Sequence, residues 1–106
     1  MNSWIILVFA GLFEMAWVLA LKFSNNFSNV FYTTLVVIFM ILSLLLLSIS
    51  FKSIPMGTAY ACWTAIGAVG VIVFGMMFLG ESADALRIFF IALIVAGVIG
   101  LNLTTN

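Results

Sequence analysis

A single acidic residue, Glu14, stands in the middle of an otherwise apolar stretch that runs from about Trp4 to Leu21. No other feature limits the possible folds as strongly. A helix that is apolar all round must be enclosed by protein or by lipid. A chain of 106 residues that is 67% hydrophobic and 6% charged cannot enclose it in protein and still present a polar surface to water. The six charges are Glu14, Lys22, Lys52, Glu81, Asp84 and Arg87. The uncharged runs 23–51, 53–80 and 88–106 are each long enough to hold the roughly 20 apolar residues that cross a bilayer core. The reading is an all-α integral membrane protein of four transmembrane helices in the lipid bilayer, forming one domain over residues 1–106.

Hydropathy and turn residues place the helices at about 4–21, 30–49, 57–79 and 85–103. The connections are short: Lys22–Asn29, Phe51–Met56 and Gly80–Ala85, with a polar tail ending at Asn106. Pro55 suits the first turn of the third helix, where its missing N–H costs nothing. Ser82 is expected to cap the fourth helix, with Asp84 or Ala85 in the first turn. One membrane face carries the N-terminus, Lys52 and the C-terminus, and the other carries Lys22 and Arg87. The charge signal for insertion is therefore close to balance: such a chain can insert either way up, or with a weak bias that leaves loops 1 and 3 in the cytoplasm. A cleaved signal peptide fits poorly, because no basic segment precedes the first helix and Glu14 interrupts it.

Several function classes drop out. Three basic residues and a formal net charge of zero argue against nucleic-acid binding. Cys62 is the only cysteine and histidine is absent, so the sequence offers no metal site, and no cofactor is implied. The six methionines show no repeated spacing and read as packing. With no nucleophile–base pair and no phosphate-binding loop, the chain does not read as an enzyme.

Glu14 remains the sharpest signal. A carboxylate at mid-membrane either faces a wet cavity or holds a proton. No intramembrane Lys, Arg or His can neutralise it, so its natural counter-ion is one that comes and goes: a proton or a small organic cation. The alternative is a permanently protonated Glu bonded to a neighbouring helix. Ala10, Gly11, Glu14, Trp17 and Val18 share one helix face, and Tyr60, Trp63, Thr64 and Gly67 share another. Tyr60 and Trp63 combine polar donors with π surfaces suited to a cation. Ser43, alone in an aliphatic stretch, is placed to donate to the carboxylate. Gly67 and Gly70 permit a conformational hinge in the third helix, with plain packing as the other reading. Gly97 and Gly100 in the fourth helix suit close approach of another helix, as in a dimer.

The order GLFEMAW–LK, the serine of the second helix and PMGTAYACWTAIGAVG together resemble the small multidrug resistance family over essentially the whole chain. Trp17, three residues after Glu14, and the run Gly57-Thr-Ala-Tyr-Ala-Cys-Trp-Thr64 resemble its guanidinium-exporter branch. The resemblance implies a proton-coupled antiporter in the bacterial inner membrane, exporting guanidinium or a related cation. It also implies an antiparallel dimer, either of identical chains or with a paired homologous subunit. By the same resemblance Glu14 carries proton and substrate, while Trp17, Ser43, Tyr60 and Trp63 line or orient the pocket. The chain departs from the family pattern at Ala65, at Phe39 and along loop 1 from Asn26 to Asn29. Export of quaternary ammonium or other hydrophobic cations, a non-transporting accessory subunit and a lipid-linked carrier flippase are the competing readings.

Overall fold

In the computed structural model, residues 2–104 are described, and Met1 and the end of the polar tail, Thr105 and Asn106, lie outside them. Four helices account for most of the described residues: α1 Ser3–Phe23, α2 Val30–Ser50, α3 Met56–Phe78 and α4 Ala85–Thr104. Each is long and apolar enough to cross a membrane. At 1.5 Å per residue, 20 to 23 residues give about 30–35 Å, the thickness of a bilayer core. α1 continues through Lys22 and Phe23, past the Leu21 at which hydropathy suggests an end.

Short polar side chains set the helix starts. Asn2 Oδ1 accepts the Trp4 N–H at 2.7 Å, and Asn29 Oδ1 accepts the Tyr32 N–H at 3.3 Å. Pro55 immediately precedes α3, which has no side-chain cap. At α4 the expected cap is corrected: Asp84, not Ser82, accepts the Arg87 N–H, at 2.8 Å. The Ser82 hydroxyl instead donates to the other Asp84 oxygen at 3.1 Å, because the carboxylate is the stronger acceptor and sits one position before the helix. Gly80, at φ +71°, supplies the left-handed residue that turns the chain out of α3. Arg87 then reaches back to Glu81 at 2.8 Å, whose carboxylate rests on Gly75 near the end of α3.

Loop 1 is tighter than its polar composition suggests. Asn25, Asn26 and Phe27 are three consecutive left-handed residues, at φ 51°, 60° and 67°. Asn tolerates this region, whereas for Phe27 it costs on the order of 1 kcal/mol. Buried Ser24 holds the turn: its hydroxyl donates to the Leu21 carbonyl at 2.7 Å and accepts the Phe27 N–H at 3.2 Å. At the opposite end of the molecule, the Ser3 and Ser53 hydroxyls bond to each other and bring the start of α1 to loop 2.

α1 packs against both α2 and α3, while α4 contacts only α3 among the described helices. The result is a slab of 44 × 35 × 19 Å rather than a square bundle. A small core of Leu7, Ala10, Leu47, Ile54, Ala59, Cys62 and Trp63 lies where α1, α2 and α3 meet. No residue of α4 is buried.

Asp84 lies outside the membrane spans, and its hydrogen bonds to the Arg87 N–H and the Ser82 hydroxyl hold its carboxyl below the ordinary value of 3.8. A carboxylate with a depressed pKa stabilises the fold above its unfolded value and loses that contribution as pH falls through the folded one. Protection of the Leu86 and Arg87 amides, relative to their intrinsic exchange rates, should therefore fall below about pH 4. Asp84→Ala should show that loss of protection at neutral pH, and Asp84→Asn should largely retain the protection.

Candidate functional site

Glu14 sits near the middle of α1, where the helix leans on α3. Three contacts at helical spacing set that packing. The Gly11 backbone receives Ile66, the Gly67 backbone receives the Glu14 carboxylate, and the Gly70 backbone receives Met15. A Cβ on Gly67 would fall 2.7 Å from Glu14 Cδ, so only glycine leaves room for the carboxylate here. One Glu14 oxygen, Oε2, is buried without a hydrogen-bond partner among the described residues, and so is the Trp17 indole N–H. Beside the carboxylate a groove of about 290 Å³ opens between α1 and α3, lined by Glu14, Val18, Thr64, Gly67, Ala68, Val71 and Ile72.

A second groove, of about 300 Å³, lies between α1, α3 and α4 and includes Leu12, Ile66, Val69 and Val98. Its side chains are all apolar, so it has nothing with which to bind a cation. The groove at Glu14 is the candidate site.

Gly67 lies against Glu14, but Ser43, Tyr60 and Trp63 do not line the groove beside it in the single chain. Ser43 is fully buried, and its hydroxyl donates to the Ala10 carbonyl at 2.7 Å rather than to the Glu14 carboxylate. The reason is register: α1 and α2 run antiparallel, and Ser43 falls opposite Ala10, one turn from Glu14. The same hydroxyl accepts the Trp63 indole N–H at 2.9 Å, and Trp63 is 9% exposed within the core. Ser43 and Trp63 thus form a buried polar brace across three helices. Tyr60 is 57% exposed, with its ring 5.7 Å from that of Trp63. Gly67 and Gly70 both lie within an unbroken helix and both serve as close-contact points for α1. Gly97 and Gly100 face open space.

Thr64, placed by spacing on the face of Gly67 but not among the expected pocket residues, lines the groove. The signal was present, because Thr64 precedes Gly67 by three residues and so lies on the same stripe of α3. Among the described residues no group of three or more His, Cys, Asp or Glu side chains could hold a metal ion.

The Small Multidrug Resistance protein family matches residues 2–94 of the chain. A guanidinium exporter of Escherichia coli O6:H1 (strain CFT073) is 52% identical over 104 residues, covering 98% of this chain and 99% of that protein. The guanidinium exporter of Escherichia coli K12 is 51% identical over the same coverage. That of Salmonella typhimurium (strain LT2) is 47% identical, again across 98% of this chain and 99% of its own length. These relatives are named as exporters, not enzymes.

Ser43→Ala should destabilise the fold by about 1–3 kcal/mol, because it leaves the buried Trp63 N–H without an acceptor. Tyr60→Phe removes a hydroxyl from an exposed side chain and should leave stability unchanged. Unfolding of the two variants in mixed detergent micelles, side by side with the parent, measures the contrast.

Proposed function

The chain belongs to the Small Multidrug Resistance family, and on that footing we propose that it exports guanidinium or a related guanidinyl cation in exchange for protons. The four spans and the family make it a multi-pass membrane protein. The bacterial inner membrane is the proposed site of action, consistent with the Escherichia coli relatives.

The observation that carries this reading is the Glu14 carboxylate, half-sunk at mid-span with one oxygen unpartnered and a groove beside it. Lys22 and Arg87 are the only basic side chains in the four helices, and both sit in end turns, too far along the spans to neutralise it. A carboxylate so placed binds a proton or a cation in turn. Guanidinium suits it because its planar N–H donors pair with a carboxylate in a two-bonded fork. Competition between proton and cation gives exchange when only the loaded pocket can change the side to which it opens.

A groove open on one side in the single chain is more readily closed by a second copy. In the proposed assembly two chains lie antiparallel, each contributing a Glu14, or one chain pairs with a homologous, non-identical subunit. Exposed Tyr60 and the unpaired Trp17 N–H then line the shared pocket, and Ser43 with Trp63 holds α1 and α3 in register around it. Gly67 and Gly70 are the proposed points of flexure in α3. Gly97 and Gly100, on the bare face of α4, are the proposed contacts with the second copy. Export of a quaternary ammonium is the second reading, favoured by the apolar walls that Val18, Ala68, Val71 and Ile72 give the groove.

The test is exchange by the full chain in liposomes carrying a pH gradient. The parent should move guanidinium against the proton flux, and Glu14→Gln should insert normally yet show no coupled exchange. Parent-like coupling in that variant would remove Glu14 from the mechanism. Gly67→Ala should also fold, since the displaced atoms are the end of a flexible side chain. By shifting the carboxylate it should weaken guanidinium transport roughly tenfold to a hundredfold. Net uptake of tetramethylammonium with none of guanidinium would favour the second reading.

A further inference from the structure

The groove beside Glu14 contains one more polar side chain, Thr64, to which the export reading gives no part. Thr64 lies one turn along α3 from Gly67, on the wall against which the Glu14 carboxylate rests. The hydroxyls of Thr33, Thr34 and Thr104 donate to the carbonyl four residues back, each at 2.8 Å. That of Thr64 makes no hydrogen bond among the described residues and is exposed to the groove. Its neighbour Trp63, about 100° round the helix, is turned into the core and bonded to Ser43. Two adjacent residues thus divide the work of α3, one bracing the fold and the other facing the groove.

The donor inventory gives Thr64 a definite task. Guanidinium carries only N–H donors and no acceptor, so its hydrogen bonds are made to acceptors alone. The Trp17 indole is a donor only. The Ser43 hydroxyl is fully buried and engaged with both Ala10 and Trp63. Of the groove's side chains, Glu14 and Thr64 are the two that can accept an N–H. A fork onto Glu14 uses one edge of the planar cation and leaves N–H groups on the other edges unpaired, facing the groove wall. We infer that Thr64 is a substrate-contacting, specificity-determining residue whose Oγ1 accepts one of these N–H groups and so selects N–H-bearing cations over quaternary ones. The inference rests on the export reading and adds to it a residue that the substrate touches.

The experiment compares the parent full chain with Thr64→Val and Thr64→Ser in liposomes. Guanidinium KM and maximal rate are measured, together with inhibition by tetramethylammonium, which has no N–H. Val keeps the branched shape and removes the acceptor, whereas Ser keeps the acceptor and removes the methyl group. Thr64→Val should raise guanidinium KM roughly tenfold or more, the weight of a hydrogen bond to a charged group, with maximal rate nearly unchanged. Inhibition by tetramethylammonium should stay as in the parent, and Thr64→Ser should keep the parent KM. An unchanged KM in Thr64→Val overturns the inference. Equal weakening toward both cations, or equal damage in Thr64→Ser, also overturns it, since either would mark Thr64 as structural. A parent chain that moves no guanidinium overturns the export reading and this inference with it; a transporting parent with an indifferent Thr64→Val overturns the inference alone.

Discussion

The candidate site depends on the contact between the Glu14 carboxylate and the bare backbone of Gly67. Within hydrocarbon, apolar helices gain little from touching one another, because lipid is as good a neighbour as leucine. Association then relies on close packing and on polar groups that would otherwise lack partners. α1 meets both conditions at once. Along α3 it inserts Glu14 and Met15 against two glycines and offers the backbone of Gly11 to Ile66. Along α2 it offers the Ala10 carbonyl to Ser43 and stacks Phe13 on Phe39 at 5.8 Å. A change in the α1–α3 register by one residue would leave the carboxylate facing a side chain instead of a glycine.

The parts of this structure visible in the sequence were those governed by solvent. Apolar runs of about 20 residues marked the four spans, since a segment of that length and composition satisfies its backbone in lipid as a helix. Hydropathy placed the starts of α2 at Val30 and of α4 at Ala85, and one intramembrane acid marked the centre of the candidate site. The parts that could not be read were those governed by which face of a helix meets which neighbour. In a soluble helix the apolar stripe marks the inner face, but helices apolar on every side carry no such mark. Trp63 and Thr64 illustrate the difficulty. Spacing put both on the stripe with Gly67, and only the three-dimensional register assigns one to the core and the other to the groove. Ser43 is a similar case, a lone hydroxyl whose partner depended on which turn of α1 lay opposite.

Polar groups inside the membrane fall into two sets with different physical roles. Ser43, Trp63 and the Ala10 carbonyl satisfy each other completely and are sealed from their surroundings. Such a network resists rearrangement, because opening it strands several buried groups together. Glu14 and Trp17 are left open, each with a buried atom unpaired. A transporter needs both conditions side by side: a frame that does not rearrange, and unsatisfied groups whose partner can be exchanged. α1 carries the open set, with Ala10 its link to the closed one, and the two sets lie about one helical turn apart.

The bare fourth helix has a consequence for how its sequence can drift. At Gly97 and Gly100 a methyl group would meet no atom within 4 Å, so alanine would fit at either position without moving anything. Alanine would also favour the helix by about 1 kcal/mol at each. Among the described residues no packing contact offsets that conformational cost at either glycine.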